Sequence, residues 1–485
     1  MLSCAENGDV RTPHMDRLAA EGVRFERAYC QDGVCVASRN SMMTGQYPRT
    51  TGLLTGDMVR PLEPVLARFT PMQRAFQKAG YYTFTSGKRH LQGAVDAGWG
   101  CKAGIADSKE ELSDPVNYWK WIAQQGLMKE FREDWGSVAW PHVAGATMGA
   151  AAVAPMTCRI SALPAYATME GFVEAQTVAF LKSAQAKKGP FFAYSSYLRP
   201  HQPYTPLKEY ADKVDAASLT LPKSFAQRAE ELPPILHYYR NKTDGGPWSL
   251  GKYDEADYRR YLAYYIALVE EVDDHIGRTL KTLEEEGLAE NTIVVYSADH
   301  GDFTAHHRLP EKFPMGHNFY EETLRVPLMV RYPNKIGAGE VRNDLVQLVD
   351  IYPTLLEFCG MDAPKDVPLA GMSLVETLSR KKAVGRDHIV SESLSQLAVI
   401  TEDLKYGKWL ASPMKGGPWG DFRSFGNMLM SRATDPDEVV NLCGDASYAA
   451  KRAEMEGWVR DWVRNTNDDG RRAFYQEVKA EYPEV

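Results

Sequence analysis

Apolar residues along the chain recur with two periods, and the alternation between them predicts the elements. Thr12-Pro-His-Met-Asp-Arg-Leu-Ala-Ala-Glu-Gly22 has helical spacing, with Thr12 as N-cap, Pro13 at the first position and Gly22 as the stop. A strand over residues 23–29 follows and delivers the turn around Cys35. The same order repeats in a helix over 71–78, its stop at Gly80, and a strand over 81–85 that ends at Gly87-Lys-Arg-His90. Pro190-Phe-Phe-Ala-Tyr-Ser-Ser-Tyr197 has the composition of a buried strand and delivers Arg199-Pro-His201. A long helix over 254–285, stopping near Gly287, feeds a central strand over 292–297 that opens onto Ala298-Asp-His-Gly-Asp302. Residues 326–330 read as a further strand and 350–360 as a further helix.

Strand, loop and helix in this repeating order predict an α/β layered domain with its site at strand ends. Residues 100–187 carry weaker periodicity and many Gly, Ala and Trp, which reads as an insertion around the site; residues 205–255, rich in proline and charge, read as a surface excursion shaping a pocket rim. The segment 360–385 leads into a smaller unit, with antiparallel strands near 398–401, 406–410 and 427–430 and a terminal helix over 454–463. The expected domains are therefore 1–385, carrying the site, and 386–485. A chain of 485 residues has room for both.

Composition narrows the function. The hydrophobic content of 44% with 25% charged residues is that of an ordinary soluble enzyme, and a net charge of -8 argues against a nucleic-acid surface. An anionic substrate would need a local cluster of positive side chains. Seven cysteines, odd in number and scattered, do not form a disulfide framework and favour a reducing compartment. The first residues lack a basic segment and a long apolar run, so the chain as given shows no signal peptide and reads as cytoplasmic; a start further upstream would allow a periplasmic or secreted location. Residues 145–155 are apolar but too short for a membrane span.

Candidate chemistry centres on Cys35-Val-Ala-Ser-Arg39. A short helix over 38–44, stopped by Gly45 and unable to pass Pro48, would set Cys35 at a helix N-terminus, where free N–H groups and the dipole favour a thiolate or a bound sulfate. A small residue starting a helix beside the core would look the same locally. The wider segment, continuing to Met43-Thr-Gly-Gln-Tyr-Pro48, resembles the maturation motif Cys-x-Pro/Ala-x-Arg of type I sulfatases, members of the alkaline phosphatase-like group. Further matches are the segment 12–22, Gly87-Lys-Arg-His90, Arg199-Pro-His201, Ser297-Ala-Asp-His-Gly301, Tyr320-Glu-Glu-Thr-Leu-Arg-Val-Pro327 and Asp435-Pro-Asp-Glu-Val-Val-Asn-Leu442, so the resemblance covers almost the whole chain.

The resemblance implies a large mixed, mostly parallel sheet flanked by helices, with a smaller C-terminal α+β subdomain. It also implies hydrolysis of a sulfate ester. A formylglycine-generating enzyme would convert Cys35 to formylglycine, Arg39 would hold the modified residue, and Asp299, His300 and residue 35 would bind a divalent cation, calcium in most members, with magnesium possible. An imidazole suits calcium less well than the amide oxygen other members carry at that place. Without its company, Asp-His-Gly would read only as a loop cap after a strand. Lys88, His201, Lys312, Arg199 and His307 would bind substrate, and His90 would hydrogen-bond the hydrated aldehyde. Asp302 would sit behind the ligands, with His306 and His317 at the rim. The set is coherent, because a trigonal SO3 group in its transition state needs positive charge and donors on its nonbridging oxygens. His201 would protonate the leaving alcohol and His90 would help deprotonate the hydrate.

One departure stands out. Members begin with an apolar strand ending in an Asp-Asp pair of metal ligands, just before the region matching Leu2-Ser-Cys-Ala5, and neither Asp9 nor Asp16 replaces it. An open sheet edge and an underligated cation are expected, from either a start placed too far downstream or a genuine loss. The expected substrate is a sulfated small molecule or saccharide, on which Trp119, Trp121 and Trp140 could stack, although packing is the commoner use of tryptophan. Alternatives are a phosphonate monoester or phosphodiester hydrolase, and a catalytically inactive anion-binding homologue.

Overall fold

The computed structural model describes residues 1–5, 7–53, 63–105, 111, 113–135, 156–243, 249–313, 318–380, 382–393, 396–410 and 422–466. Trp140 and His317 lie outside them. In the first sheet, β1 (Val23–Tyr29) pairs antiparallel with β7 (Arg325–Arg331) and parallel with β8 (Glu340–Gln347), while β6 (Val294–Ser297) pairs antiparallel with β7. A second sheet is parallel throughout and joins β2 (Tyr82–Gly87), β3 (Cys101–Gly104), β4 (Val116–Asn117) and β5 (Phe191–Ser196) in the order β4-β3-β2-β5. The third is an antiparallel meander of β9 (Ile389–Ser393), β10 (Gln396–Ile400), β11 (Leu404–Trp409) and β12 (Met428–Ser431).

Helices cover these sheets for simple reasons of pattern. Glu255–Glu285 starts at a reciprocal capping box between Asp254 and Asp257 and turns its apolar stripe inward. The helix Met169–Lys182 packs against it and against β2. Helix Ala449–Asn465 lays Met455, Val459 and Val463, spaced four apart, on Leu397, Val399 and Leu429 of the meander.

The region 100–187 is more than an insertion. It supplies β3, β4 and the helix Met169–Lys182 to the parallel layer, and strands of two and four residues are too short to leave a periodic signature. Strand β8 does not show in the apolar pattern because Arg342, Asn343 and Asp344 make its first half polar; among the described residues it ends its sheet.

The layer expected to be one sheet is divided. Among the described residues β5 and β6 are both end strands, and between them lies a cleft of about 1820 Å³ lined by residues 191–196 and 293–297. Val294, Val295 and Tyr296 are only half-buried, although their composition is that of a central strand. Loops following β1, β2, β5 and β6 carry Cys35, Lys88, Arg199 and Asp299, so the strand ends converge on one corner.

Candidate active site

The helix Cys35–Thr44 opens at Cys35 itself and closes at Gly45, whose φ of 65° is left-handed. Cys35 Sγ lies 3.3 Å from His90 Nδ1. Burial pushes this thiol up, but Lys88, His90 and His300 outweigh it and hold the group well below its ordinary value. Beside it, burial opposes ionisation of Asp299, yet Arg39, His300 and Lys88 keep that carboxyl well below the usual range. Arg39 is the hub of the corner. Its Nε donates to Asp299 at 2.6 Å, and its Nη1 donates to the Lys88 carbonyl at 2.7 Å, Tyr194 Oη at 3.0 Å and Ser196 Oγ at 2.7 Å.

Cys35, Asp299 and His300 offer ligand atoms that all lie within 4.8 Å of one another. Nδ1 of His300 is 2.7 Å from the Gly301 carbonyl, the arrangement in which Nδ1 carries the proton and Nε2 keeps a lone pair for a metal. A carboxylate held ionised and an imidazole oriented by a carbonyl suit a divalent cation, though calcium would need further oxygens. His14, Asp273 and Asp274 form a second acidic group, but Asp273 already accepts the His14 and Met15 N–H groups that begin a helix.

Two glycines set the spacing of the corner. Gly87 has φ 93°, and a Cβ there would run into the Ser196 carbonyl across the β2–β5 ladder; at Gly301 a Cβ would run into the Glu322 carbonyl. The neighbours of these glycines are Lys88 and His300. Lys312 joins from the loop after Gly301: burial lowers its affinity for a proton, while Glu311 and Cys35 more than restore it, so the ammonium is retained. Asp302 sits behind, accepting from Thr304 N–H at 2.8 Å and from Tyr261 Oη at 2.9 Å.

Three predicted residues have other surroundings. Arg199 is turned inward, where Nη1 donates to the His201 and Pro203 carbonyls, Nη2 to Thr205 Oγ1, and the guanidinium stacks 4.7 Å from the Trp135 ring. The side chain, which also lines the cleft, organises the loop that presents His201. His307 is fully buried, its Nδ1 2.6 Å from Gln227 Oε1 and its ring 4.2 Å from that of Tyr320, and burial lowers it to about 4. The ring is enclosed by Gln227, Phe303 and Tyr320. His306, partly exposed and lining the cleft, is tied to Glu322 at 3.1 Å and Asp437 at 3.6 Å. His201 does line the cleft, with Nδ1 2.8 Å from the Gln202 carbonyl. Trp119 and Trp121 pack around Tyr118, Phe131 and Phe172.

Residues 2–361 match the family model described as Sulfatase. The chain belongs to the sulfatase family. Members of the sulfatase family hydrolyse sulfuric esters. An arylsulfatase of Clostridium perfringens is 28% identical over 475 residues, covering 91% of this chain and 87% of its own. An N-acetylglucosamine-6-O-sulfatase of Bacteroides thetaiotaomicron is 24% identical over 542 residues, covering 96% and 84%. In fold, the phosphonate monoester hydrolase of Agrobacterium radiobacter superposes with a TM-score of 0.74 at 22% identity, over 94% of this chain and 92% of that one.

Sequence reasoning passed over several groups of this sulfatase corner. Asn40 donates from Nδ2 to the His90 carbonyl at 2.9 Å, and Tyr194 and Ser196 receive Arg39. Asn40 follows Arg39 directly, which was a usable signal; Tyr194 and Ser196 lie within a strand read only for its apolar content.

Proposed function

We propose that this chain hydrolyses a sulfate ester on a small molecule or saccharide, using formylglycine made from Cys35 and a divalent cation held by Asp299 and His300. The observation that carries this reading is the convergence of Lys88, His90, Arg39 and Lys312 on the Cys35–Asp299 pair in a corner open to a cleft. Formylglycine would supply a hydrated aldehyde as nucleophile, and the cation would orient and acidify it. Lys88 and Lys312 face the negative oxygens of the SO3 group. His90, whose Nδ1 lies against the atom at position 35, would accept a proton there. Arg199 holds the loop from which His201 gives a proton to the departing alkoxide. Arg39 keeps Asp299 ionised and in place.

Asp299 and His300 leave a calcium ion short of oxygens. Further oxygen ligands would have to reach the corner from the cleft that Asp299 and His300 line. The maturation partner would be a formylglycine-generating enzyme. A sugar substrate is favoured by the resemblance of the 199–203 loop to carbohydrate-active members and by the similarity to a glucosamine sulfatase.

The deciding experiment is the mass of the tryptic peptide 28–39 from the native host, followed by relative rates on sulfate esters and phosphonate monoesters. Formylglycine with sulfate preference is the expected result. Phosphonate preference would move the assignment to phosphonate monoester hydrolysis, the activity named for the superposable hydrolase. An intact thiol with no turnover would leave an anion-binding homologue.

A further inference from the structure

His90 stands at the candidate nucleophile with a left-handed backbone, φ 51°, a conformation a histidine adopts only when its surroundings hold it there. Two groups do so. On one side Asn40 Nδ2 donates to the His90 carbonyl at 2.9 Å, while its own Oδ1 accepts the Gln92 N–H at 3.1 Å. On the other, one oxygen of Glu111 accepts two successive backbone N–H groups, that of Arg89 at 2.6 Å and that of His90 at 3.1 Å. Glu111 is fully buried.

This carboxylate belongs to a closed cluster behind the loop. Arg89, with no exposed surface, donates to Asp96 at 2.7 Å and 3.2 Å and to Asp114 at 2.6 Å and 3.0 Å, and Lys102 reaches Asp96 at 2.8 Å. Gly104 permits the approach, because a Cβ there would collide with Asp114 Oδ2. The effect of these groups on Cys35 passes through the loop 88–90, whose Arg89 and His90 N–H groups Glu111 holds. Charge-assisted bonds to backbone N–H groups are the stronger kind, and a buried network with every bond made is rigid.

We infer that Glu111 is a positioning residue: by gripping the Arg89 and His90 N–H groups it fixes the imidazole of His90 against the reacting atom at position 35. This inference rests on the proposed role of His90 in the sulfatase reaction, and its test is built to stand if that reading fails. Glu111→Gln keeps an acceptor oxygen at the same reach. Glu111→Asp withdraws it by one methylene, and Glu111→Ala removes it.

The first readout needs no turnover. In protein made without maturation, so that residue 35 is a thiol, the rate of iodoacetamide labelling of Cys35 at pH 7 is followed on the peptide 28–39, with fragmentation separating Cys35 from Cys30. Glu111→Ala and Glu111→Asp are expected to slow labelling about tenfold, because the His90 ring is no longer held against the sulfur, while Glu111→Gln stays within about twofold of the parent. The second readout uses matured protein: kcat falls about 100-fold in Glu111→Asp with KM within about threefold, the signature of a displaced catalytic group rather than of lost binding. Melting curves accompany both, and Glu111→Asp serves if Glu111→Ala does not fold. Labelling unchanged in Glu111→Asp, or slowed as much in Glu111→Gln as in Glu111→Ala, would overturn the inference. Unchanged kcat in an active enzyme would do the same.

Discussion

Two buried charge clusters, one at the candidate site and one around Glu321 at the seam with the C-terminal meander, dispose of their charge differently. At the candidate site, Arg39, Lys88 and Lys312 surround Asp299 and Cys35 in a corner that opens into the cleft. At the seam with the C-terminal meander, Lys405 meets Glu438 at 2.5 Å and Glu321 at 3.4 Å, Arg432 meets Glu321 at 3.5 Å, and Tyr29 donates to Glu321 at 2.6 Å. The seam answers its own charges with side chains from β1, β11 and the segment after β12. The site gathers cations around an opening, where an incoming anion would meet them. Burial alone therefore does not mark function; what marks it here is cations gathered around a buried cysteine at the edge of a cleft.

The sharpest way to break this contrast is to remove the reacting atom. Cys35→Ala is expected to lower turnover of a sulfate ester by at least ~10⁴-fold while the melting temperature moves by no more than about 2 °C. Kinetics and calorimetry on one preparation check both halves. Next in size is Lys405→Met, which leaves Glu438 and Glu321 buried without their ammonium and should cost about 3–5 kcal/mol of stability, read by denaturant unfolding. Lys88→Met is the mirror experiment: kcat/KM should fall about 10²–10³-fold with stability within about 1 kcal/mol of the parent. If Lys88→Met unfolds the protein and Lys405→Met does not, the division into a chemical and a structural cluster is wrong.

A smaller effect comes from pH. Burial disfavours the charged forms of Glu322 and His306, but their pairing outweighs it, lowering Glu322 from 4.5 to about 2 and raising His306 above 6.5. The depressed acid contributes stability above about pH 4.5 that is lost as pH falls toward 2. The raised histidine contributes stability below about pH 6.5 that is lost as pH rises through its folded value. Stability from this pair should therefore be fullest between pH 4.5 and 6.5 and decline on either side. His306→Gln should flatten the alkaline decline, a result that melting temperatures across the range would show. Smallest is the effect of inorganic sulfate, which should raise the melting temperature of the parent by about a few degrees and of Lys88→Met by less, if Lys88 takes part in binding an anion in the cleft.

What could be read from the chain follows from how local each signal is. Cys35 to Arg39, Lys88 to His90, and Asp299 with His300 are contiguous motifs at the ends of apolar runs, so both their type and their place at strand ends were legible. Arg199 and His307 belong to equally recognisable segments, yet what their side chains touch is decided by Thr205, Trp135 and by Gln227, 80 residues away. Glu111 carries no motif, because its task is to accept backbone N–H groups, which any loop offers. The division of the sheet and the half-burial of Val294 to Tyr296 are properties of packing that composition does not contain.

The glycines at 87 and 301 impose a limit on drift. Every missense change at a glycine codon adds at least a Cβ, and at these two places that carbon has no room. Lys88 and His300 can be exchanged for other side chains without moving the main chain, so chemistry here can be lost and regained by single steps. The spacing that aims those side chains cannot be lost so cheaply. Lineages of this protein should shed a cation from the corner more readily than either glycine, and a descendant without activity should still keep the outline of the site.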